Sequence, residues 1–230
     1  MRVFSFDDEA SWIEAASGEL VQAAARARLE GRGDLQLCLA GGATPAALYA
    51  ALARPGPAAS ALRGLAVELW LGDERAVPPE DSERNGALAA RAFSGAAWDP
   101  EPVLRPWPAG PAAEAAAAYA ALLLERLGPR PAFDLAFLGL GADGHTASLF
   151  PGQAILGEES ALAAASLAPS PPRERMSLTY PALLGSRRIR FLARGAAKAA
   201  VVAALEREEP ALPASRLARS ADAAVLYCGV

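Results

Sequence analysis

Residues 133–151 read Phe-Asp-Leu-Ala-Phe-Leu-Gly-Leu-Gly-Ala-Asp-Gly-His-Thr-Ala-Ser-Leu-Phe-Pro. The apolar run from Phe133 to Leu138 predicts a buried strand, and a glycine-rich polar turn follows it. That turn carries His145, the only histidine of the chain. Because imidazole is the side chain whose unperturbed pKa lies near neutrality, a histidine at the exit of a strand is a candidate general base. A surface or capping histidine is the alternative.

The unit of strand, glycine turn and helix recurs along the chain. Further apolar runs predict strands at 35–40, 65–71, 188–193 and 223–228. Helical spacing predicts helices at 7–30, 43–52, 82–93, 112–127 and 196–206. Strands that alternate with helices predict an α/β fold with a mostly parallel sheet flanked by helices on both faces.

Composition limits the classes of partner. The chain has 230 residues, 53% of them apolar, and a net charge of -4 without any run of lysine and arginine. We therefore expect one domain over residues 1–230 and a small-molecule partner, not nucleic acid or a membrane. Acidic residues at 7–9 stand where a signal peptide would be apolar, which predicts a cytoplasmic protein. Cys38 and Cys228 lack the spacing of a metal site, and the proline-rich stretches 54–57, 100–111 and 169–172 are predicted loops.

Polar turns follow four of the predicted strands. They carry Gly42 with Thr44, Asp73 with Arg75, Asp143 with His145, and Lys198. The carboxyl ends of parallel strands share one edge of the sheet, where ligands bind in such folds. We therefore expect these side chains to converge on one rim.

The turn Gly41-Gly42-Ala43-Thr44-Pro45 opens a predicted helix. The free N–H groups and dipole of a helix start favour an anion such as phosphate. The alternative is an ordinary cap, with Thr44 capping and Pro45 at the first helical position. Similarly, Asp73 and Arg75 would contact a substrate or belong to a solvated loop. Arg175 would bind a phosphate or lie on the surface. Lys198 would supply a point charge for a phosphate.

Gly139-x-Gly141-x-x-Gly144 matches the dinucleotide fingerprint and follows a predicted strand. That fingerprint needs a full helix after its third glycine, but Pro151 comes soon after His145. The acidic pair at 158–159 also comes too early for the usual ribose contact. These departures argue against NAD binding.

Five blocks in register resemble the 6-phosphogluconolactonase family. They are residues 39–45, residues 72–78 with Asp81, Ser82 and Asn85, residues 139–151, Arg175 with Leu178 and Thr179, and residues 195–198. The resemblance implies the Rossmann-like fold of sugar-phosphate isomerases and deaminases. It also implies hydrolysis of 6-phosphogluconolactone to 6-phosphogluconate, the second step of the oxidative pentose phosphate pathway, without a metal or organic cofactor. A monomer or small homo-oligomer is expected.

The chain departs from the family pattern at Ala40 and Ala43, where family members commonly have serine. A hydroxyl contact to phosphate is therefore missing, although the backbone N–H groups remain. Glucosamine-6-phosphate deaminases continue a similar histidine block with Ile-Ala-Phe-Asn-Glu, whereas residues 146–150 here read Thr-Ala-Ser-Leu-Phe. The acidic partner of deamination is thus absent, which favours the lactonase. A non-catalytic sugar-phosphate-binding protein is the remaining alternative.

The implied mechanism gives each residue a role. His145 removes a proton from the attacking water and then protonates the ring oxygen as it leaves. Asp143 or Asp73 holds the other imidazole nitrogen, and Arg75 stabilises the oxyanion or orients the sugar. The expected phosphate ligands are Gly41, Gly42, Ala43, Thr44, Arg175 and Lys198.

Overall fold

A seven-stranded parallel sheet lies at the centre of the protein, in a computed structural model that describes residues 1–220 and 222–230. The described residues form the strands β1 (Arg2–Phe6), β2 (Asp34–Leu39), β3 (Ala66–Leu71), β4 (Asp73–Arg75), β5 (Val103–Arg105), β6 (Leu135–Gly139), β7 (Ala163–Leu167), β8 (Glu174–Leu178), β9 (Ile189–Arg194) and β10 (Ala223–Cys228). The large sheet has the order β1-β10-β9-β6-β2-β3-β5. Every neighbouring pair in it is parallel, so the predicted fold class is confirmed.

This strand order positions the functional turns. The chain runs outward in one direction from β2 through β3 to β5, and in the other direction from β6 through β9 to β10, which pairs with the N-terminal strand β1 at the edge. The direction of winding therefore changes between β2 and β6, and a crevice opens at such a point beyond the carboxyl ends of the strands. The turn of His145 leaves β6 on one side of this crevice, and the turn of Gly41 leaves β2 on the other.

Helices flank the sheet. They are α1 (Glu9–Leu29), α2 (Ala43–Leu52), α3 (Pro57–Leu62), α4 (Asn85–Phe93), α5 (Ala112–Leu127), α6 (Tyr180–Leu183), α7 (Ala199–Glu206) and α8 (Pro213–Ala218). Two 3₁₀ turns span Ala154–Gly157 and Ala196–Lys198. Sequence explains their placement locally: Asp8 caps α1 by accepting the Ser11 N–H at 2.8 Å, and Trp12, Ala16 and Leu20 are buried along its length.

A second, three-stranded antiparallel sheet has the order β4-β8-β7 and was not predicted. Residues 73–75 were expected to be a turn, but they pair with 175–177 and form the edge strand β4. A strand of three residues is too short to show periodicity, and its partner lies about 100 residues away in the chain. The predicted loop 100–111 likewise contains a strand of only three residues, β5. The predicted loop 54–57 ends in the first residue of the helix α3.

The core explains why the central strands read as continuous apolar runs. Parallel strands covered on both faces are buried on both sides, and β2, β6 and β9 are almost wholly buried. Trp70 lies fully buried in β3 and donates its indole N–H to Gln36 Oε1 at 2.8 Å. Met176 of the second sheet belongs to the same continuous cluster. A single domain stays a prediction that this continuity supports.

No helix in the described part of the chain combines the length and apolar character that a membrane crossing requires.

Candidate active site

A cleft of about 210 Å³ opens at the carboxyl ends of β2, β3, β6 and β9. Its lining includes eight of the residues predicted from sequence, namely Gly41, Gly42, Ala43, Thr44, Asp73, Arg75, His145 and Lys198. Asp143 and Arg175 do not line it. The expected convergence on one rim therefore occurs for residues that are up to 157 positions apart in the sequence.

The turn after β6 is closed by its own backbone. Gly141 N–H donates to the His145 carbonyl at 2.8 Å, and Gly144 N–H donates to the Gly141 carbonyl at 3.0 Å. Thr146 Oγ1 donates to the Gly139 carbonyl at 2.8 Å, which ties the far side of the turn to the end of the strand. The next regular segment is the 3₁₀ turn Ala154–Gly157. The full helix that a dinucleotide fingerprint needs therefore does not follow Gly144.

Asp143, and not Asp73, contacts the imidazole of His145. Asp143 Oδ1 lies 2.5 Å from His145 Nδ1 and also accepts the His145 backbone N–H at 3.2 Å. Partial burial raises the pKa of Asp143, but the two hydrogen bonds from His145 outweigh it and hold that pKa below its usual value. Because a carboxylate only accepts hydrogen bonds, the proton of neutral His145 is assigned to Nδ1. The lone pair of the neutral ring is then on Nε2.

Two neighbours fix the plane of this imidazole. The Phe150 ring packs against it at 4.5 Å between centroids. On Gly141, a Cβ would lie 2.1 Å from His145 Nδ1 and 2.6 Å from Asp143 Oδ1, which no real Cβ contact allows. Glycine at 141 is therefore required for the Asp143–His145 pair to have this geometry.

Asp73 is held on the cleft wall by two other side chains. Ser148 Oγ donates to Asp73 Oδ2 at 2.6 Å, and Asn85 Nδ2 donates to Asp73 Oδ1 at 3.0 Å. The sequence places Ser148 in the histidine block without giving it a role. In the structure its hydroxyl binds Asp73.

The arginines at 75 and 175 are Cα partners across β4 and β8. Arg75 lines the cleft and donates to the Glu83 carbonyl, whereas Arg175 is 8% exposed and lies outside the lining. Burial, followed by the positive charge of Arg75, lowers the pKa of Arg175. The Nε atoms of both arginines are buried without a hydrogen-bond partner among the described residues. Arg175 thus adds positive charge next to Arg75 without lining the cleft.

The start of α2 faces the cleft with free backbone groups. Gly42 is the N-cap, and no side chain accepts a hydrogen bond from the first turn of this described helix. The alternative in which Thr44 caps the helix is therefore wrong, because Gly42 occupies the cap position. Pro45 is the third helical residue and not the first, although it still lies in the first turn, where an N–H has no intrahelical acceptor. Lys198 stands opposite, at the start of α7, and donates to the Leu140 carbonyl at 2.7 Å.

Glu74 anchors the neighbouring strand and helix. It is fully buried, and its carboxylate accepts the backbone N–H groups of Arg75, Asn85 and Gly86 at 2.7 to 2.8 Å. Arg84 Nε lies 3.6 Å away. Burial raises the pKa of Glu74, while these backbone donors oppose the shift. The Glu74 carboxylate of β4 thus caps the start of α4. This explains why α4 begins at Asn85 and not at residue 82 as predicted.

Sequence reasoning missed the supporting residues. Asn85, Ser148 and Glu74 were included only as parts of family blocks. The signal for Ser148 was its place in the histidine block, but the partner 75 residues away is set by tertiary structure. Among the described residues, the His, Cys, Asp and Glu side chains form no group of three or more that could hold a metal ion.

Comparison with known proteins places this chain in a family. The family model described as glucosamine-6-phosphate isomerases/6-phosphogluconolactonase matches residues 7–226. The chain belongs to this family. It is 40% identical over 223 residues to the 6-phosphogluconolactonase of Rattus norvegicus, an alignment that covers 93% of this chain and 84% of that protein. It is also 38% identical over 208 residues to the 6-phosphogluconolactonase of Streptomyces coelicolor, with 85% and 79% covered.

Solved structures agree with the fold. The crystal structure of a 6-phosphogluconolactonase from Shewanella baltica OS155 superposes with a TM-score of 0.84 at 26% identity, and the match covers 100% of this chain and 98% of that one. The resemblance seen in the sequence blocks is thereby confirmed. These three relatives match along most of the chain and carry the lactonase name, so the deaminase alternative is not favoured.

Proposed function

We propose that the protein hydrolyses 6-phosphogluconolactone to 6-phosphogluconate, with His145 as the base that activates water. The observation that carries this proposal is the Asp143–His145 pair, whose imidazole lines the same cleft as the start of α2 and Lys198. A water-activating base beside an anion-binding helix start is what a phosphorylated lactone requires. The lactonase names of relatives aligned over most of the chain support it further.

The reaction follows from the proton assigned to Nδ1. His145 Nε2 takes a proton from water while the water oxygen bonds to the lactone carbonyl carbon, and the carbonyl oxygen becomes an oxyanion. The imidazolium that forms is stabilised by Asp143, which lies 2.5 Å from Nδ1. When the oxyanion collapses, the bond from carbon to the ring oxygen breaks, and Nε2 returns its proton to that oxygen. One residue therefore serves as base and then as acid.

Positive groups around the cleft suit the charges of the substrate. We assign the phosphate to the free N–H groups at the start of α2, from Gly42 to Thr44, together with Lys198. Arg75 is assigned to the oxyanion or the sugar, because it also lines the cleft. Arg175, next to Arg75, acts through its charge. Phosphate binding in this arrangement fixes the lactone relative to the water, which is where binding energy contributes to rate.

The test is a coupled assay with freshly prepared 6-phosphogluconolactone, corrected for spontaneous hydrolysis. His145→Ala should lower kcat by about 10²- to 10⁴-fold, the usual contribution of a general base. Glu14→Ala, at an exposed position of α1, is the control and should keep full activity. An unchanged rate in His145→Ala would refute the role of the imidazole. Release of ammonia from glucosamine 6-phosphate would favour the deaminase, and phosphate-ester binding without turnover would favour a binding protein.

The cytoplasmic location and the monomeric or small oligomeric state stay predictions. Cell fractionation and sedimentation analysis test them.

A further inference from the structure

The position of Asp73 in the cleft is not explained by a contact with the imidazole. The imidazole is already held by Asp143, yet Asp73 lines the cleft and is fixed by Ser148 and Asn85. An ionised carboxylate offers about four lone-pair sites. One donor on each oxygen leaves the remaining sites for a ligand.

Ser148, the donor to Asp73 Oδ2, is held by hydrogen bonds of its own backbone. Ser148 is 1% exposed, its backbone N–H donates to Ser177 Oγ at 3.1 Å, and its carbonyl accepts from Ser166 Oγ at 2.6 Å. Ser166 and Ser177 belong to β7 and β8. The small second sheet therefore holds the hydroxyl that binds Asp73 Oδ2.

Asn85 approaches from the opposite side. It is 3% exposed, and its Nδ2 also donates to the Asp73 carbonyl at 2.8 Å. Because Nδ2 faces two acceptors of Asp73, the amide orientation is fixed by its hydrogen bonds. A Cβ on Gly41 would lie 1.7 Å from Asn85 Oδ1, so the glycine turn after β2 leaves room for this side chain. The loop, α4 and β4 thus meet at Asp73.

We propose that Ser148 and Asn85 are positioning residues that aim the Asp73 carboxylate into the cleft, where it binds a hydroxyl group of the lactone ring and selects polyhydroxylated substrates. This inference rests on the proposed function. A carboxylate that accepts from a ligand hydroxyl makes a charge-assisted hydrogen bond, which is stronger than a neutral one. When the ligand lacks that hydroxyl, the Asp73 carboxylate loses a hydrogen-bond donor in a partly dehydrated cleft. The transition state of such a ligand is therefore bound less well.

The experiment compares 6-phosphogluconolactone with its 2-, 3- and 4-deoxy analogues, each made by oxidation of the corresponding deoxyhexose 6-phosphate. In the wild type, kcat/KM should fall by about 10- to 100-fold for the analogue that lacks the recognised hydroxyl. Asp73→Asn removes the charge, and the preference for the parent lactone should nearly disappear. Ser148→Ala and Asn85→Ala each remove one donor to Asp73, and should reduce the preference by about 2- to 10-fold.

The ratio between substrates separates positioning from general damage. A purely structural defect lowers kcat/KM equally for parent and analogues, so an unchanged ratio in the soluble variants overturns the inference alone. Equal rates for all analogues in the wild type overturn it too. No turnover of the parent lactone by the wild type overturns the proposed function and this inference with it. Ser186→Ala is the matched control, because Ser186 is a buried serine whose hydroxyl has no partner among the described residues and which does not line the cleft. Its ratio should equal that of the wild type.

Discussion

Gly141→Ala should disable the proposed enzyme without unfolding it. The added Cβ would lie 2.1 Å from His145 Nδ1, and the ring must move by about 1.3 Å before that contact reaches an ordinary 3.4 Å. Phe150 packs against the ring and limits where it can go. A misplacement of about 1 Å in a catalytic group costs about 100-fold in rate, or about 2.7 kcal/mol. We therefore expect kcat/KM to fall by at least about that factor.

The assay is the lactonase assay at neutral pH, together with thermal unfolding of each variant. Gly33→Ala is the matched control, since a Cβ there meets nothing within 4 Å. Both variants should unfold within about 4 °C of the wild type, because a methyl group at an ordinary backbone angle changes stability by less than about 1 kcal/mol. Full activity of Gly141→Ala would show that the rate does not depend on this imidazole position. Loss of activity in Gly33→Ala would point to a general sensitivity to alanine.

Two further predictions concern carboxylates. The pKa of Asp143 lies below its usual 3.8, so Asp143 stays charged through the neutral and mildly acidic range and the acid limb of kcat/KM does not come from it. Asp143→Asn removes the charge that stabilises the imidazolium formed during the reaction, so the maximal rate should fall by about 100-fold or more; a maximal rate equal to that of the wild type would contradict the pairing. Glu74→Ala leaves three backbone N–H groups and Arg84 without their buried carboxylate, and should destabilise the fold by about 3 kcal/mol in urea unfolding. Exposed Glu80→Ala is its control, and equal stability of the two variants would refute the anchoring role.

The structure brings together on one rim those predicted site residues that follow a strand directly. His145, Asp73, Thr44 and Lys198 were placed on one rim because the carboxyl ends of parallel strands share an edge. Arg175 does not line the cleft, and its position depends on a pairing with residues 73–75 that no periodicity reveals. The alternative in which Thr44 caps α2 is wrong, because Gly42 occupies the cap position. Short strands and caps are decided by partners distant in sequence.

Local sequence was enough to predict the alternation of strands and helices, the glycine turns between them and the chemical groups that those turns carry. These are local properties, because apolar spacing and backbone freedom act over a few residues. Tertiary structure alone decided that β6 lies between β9 and β2, that Asp143 contacts the imidazole, and that Ser148 binds Asp73. The physical reason is that two carboxylates follow equivalent strands, and only the packing of the turns decides which oxygen lies 2.5 Å from Nδ1.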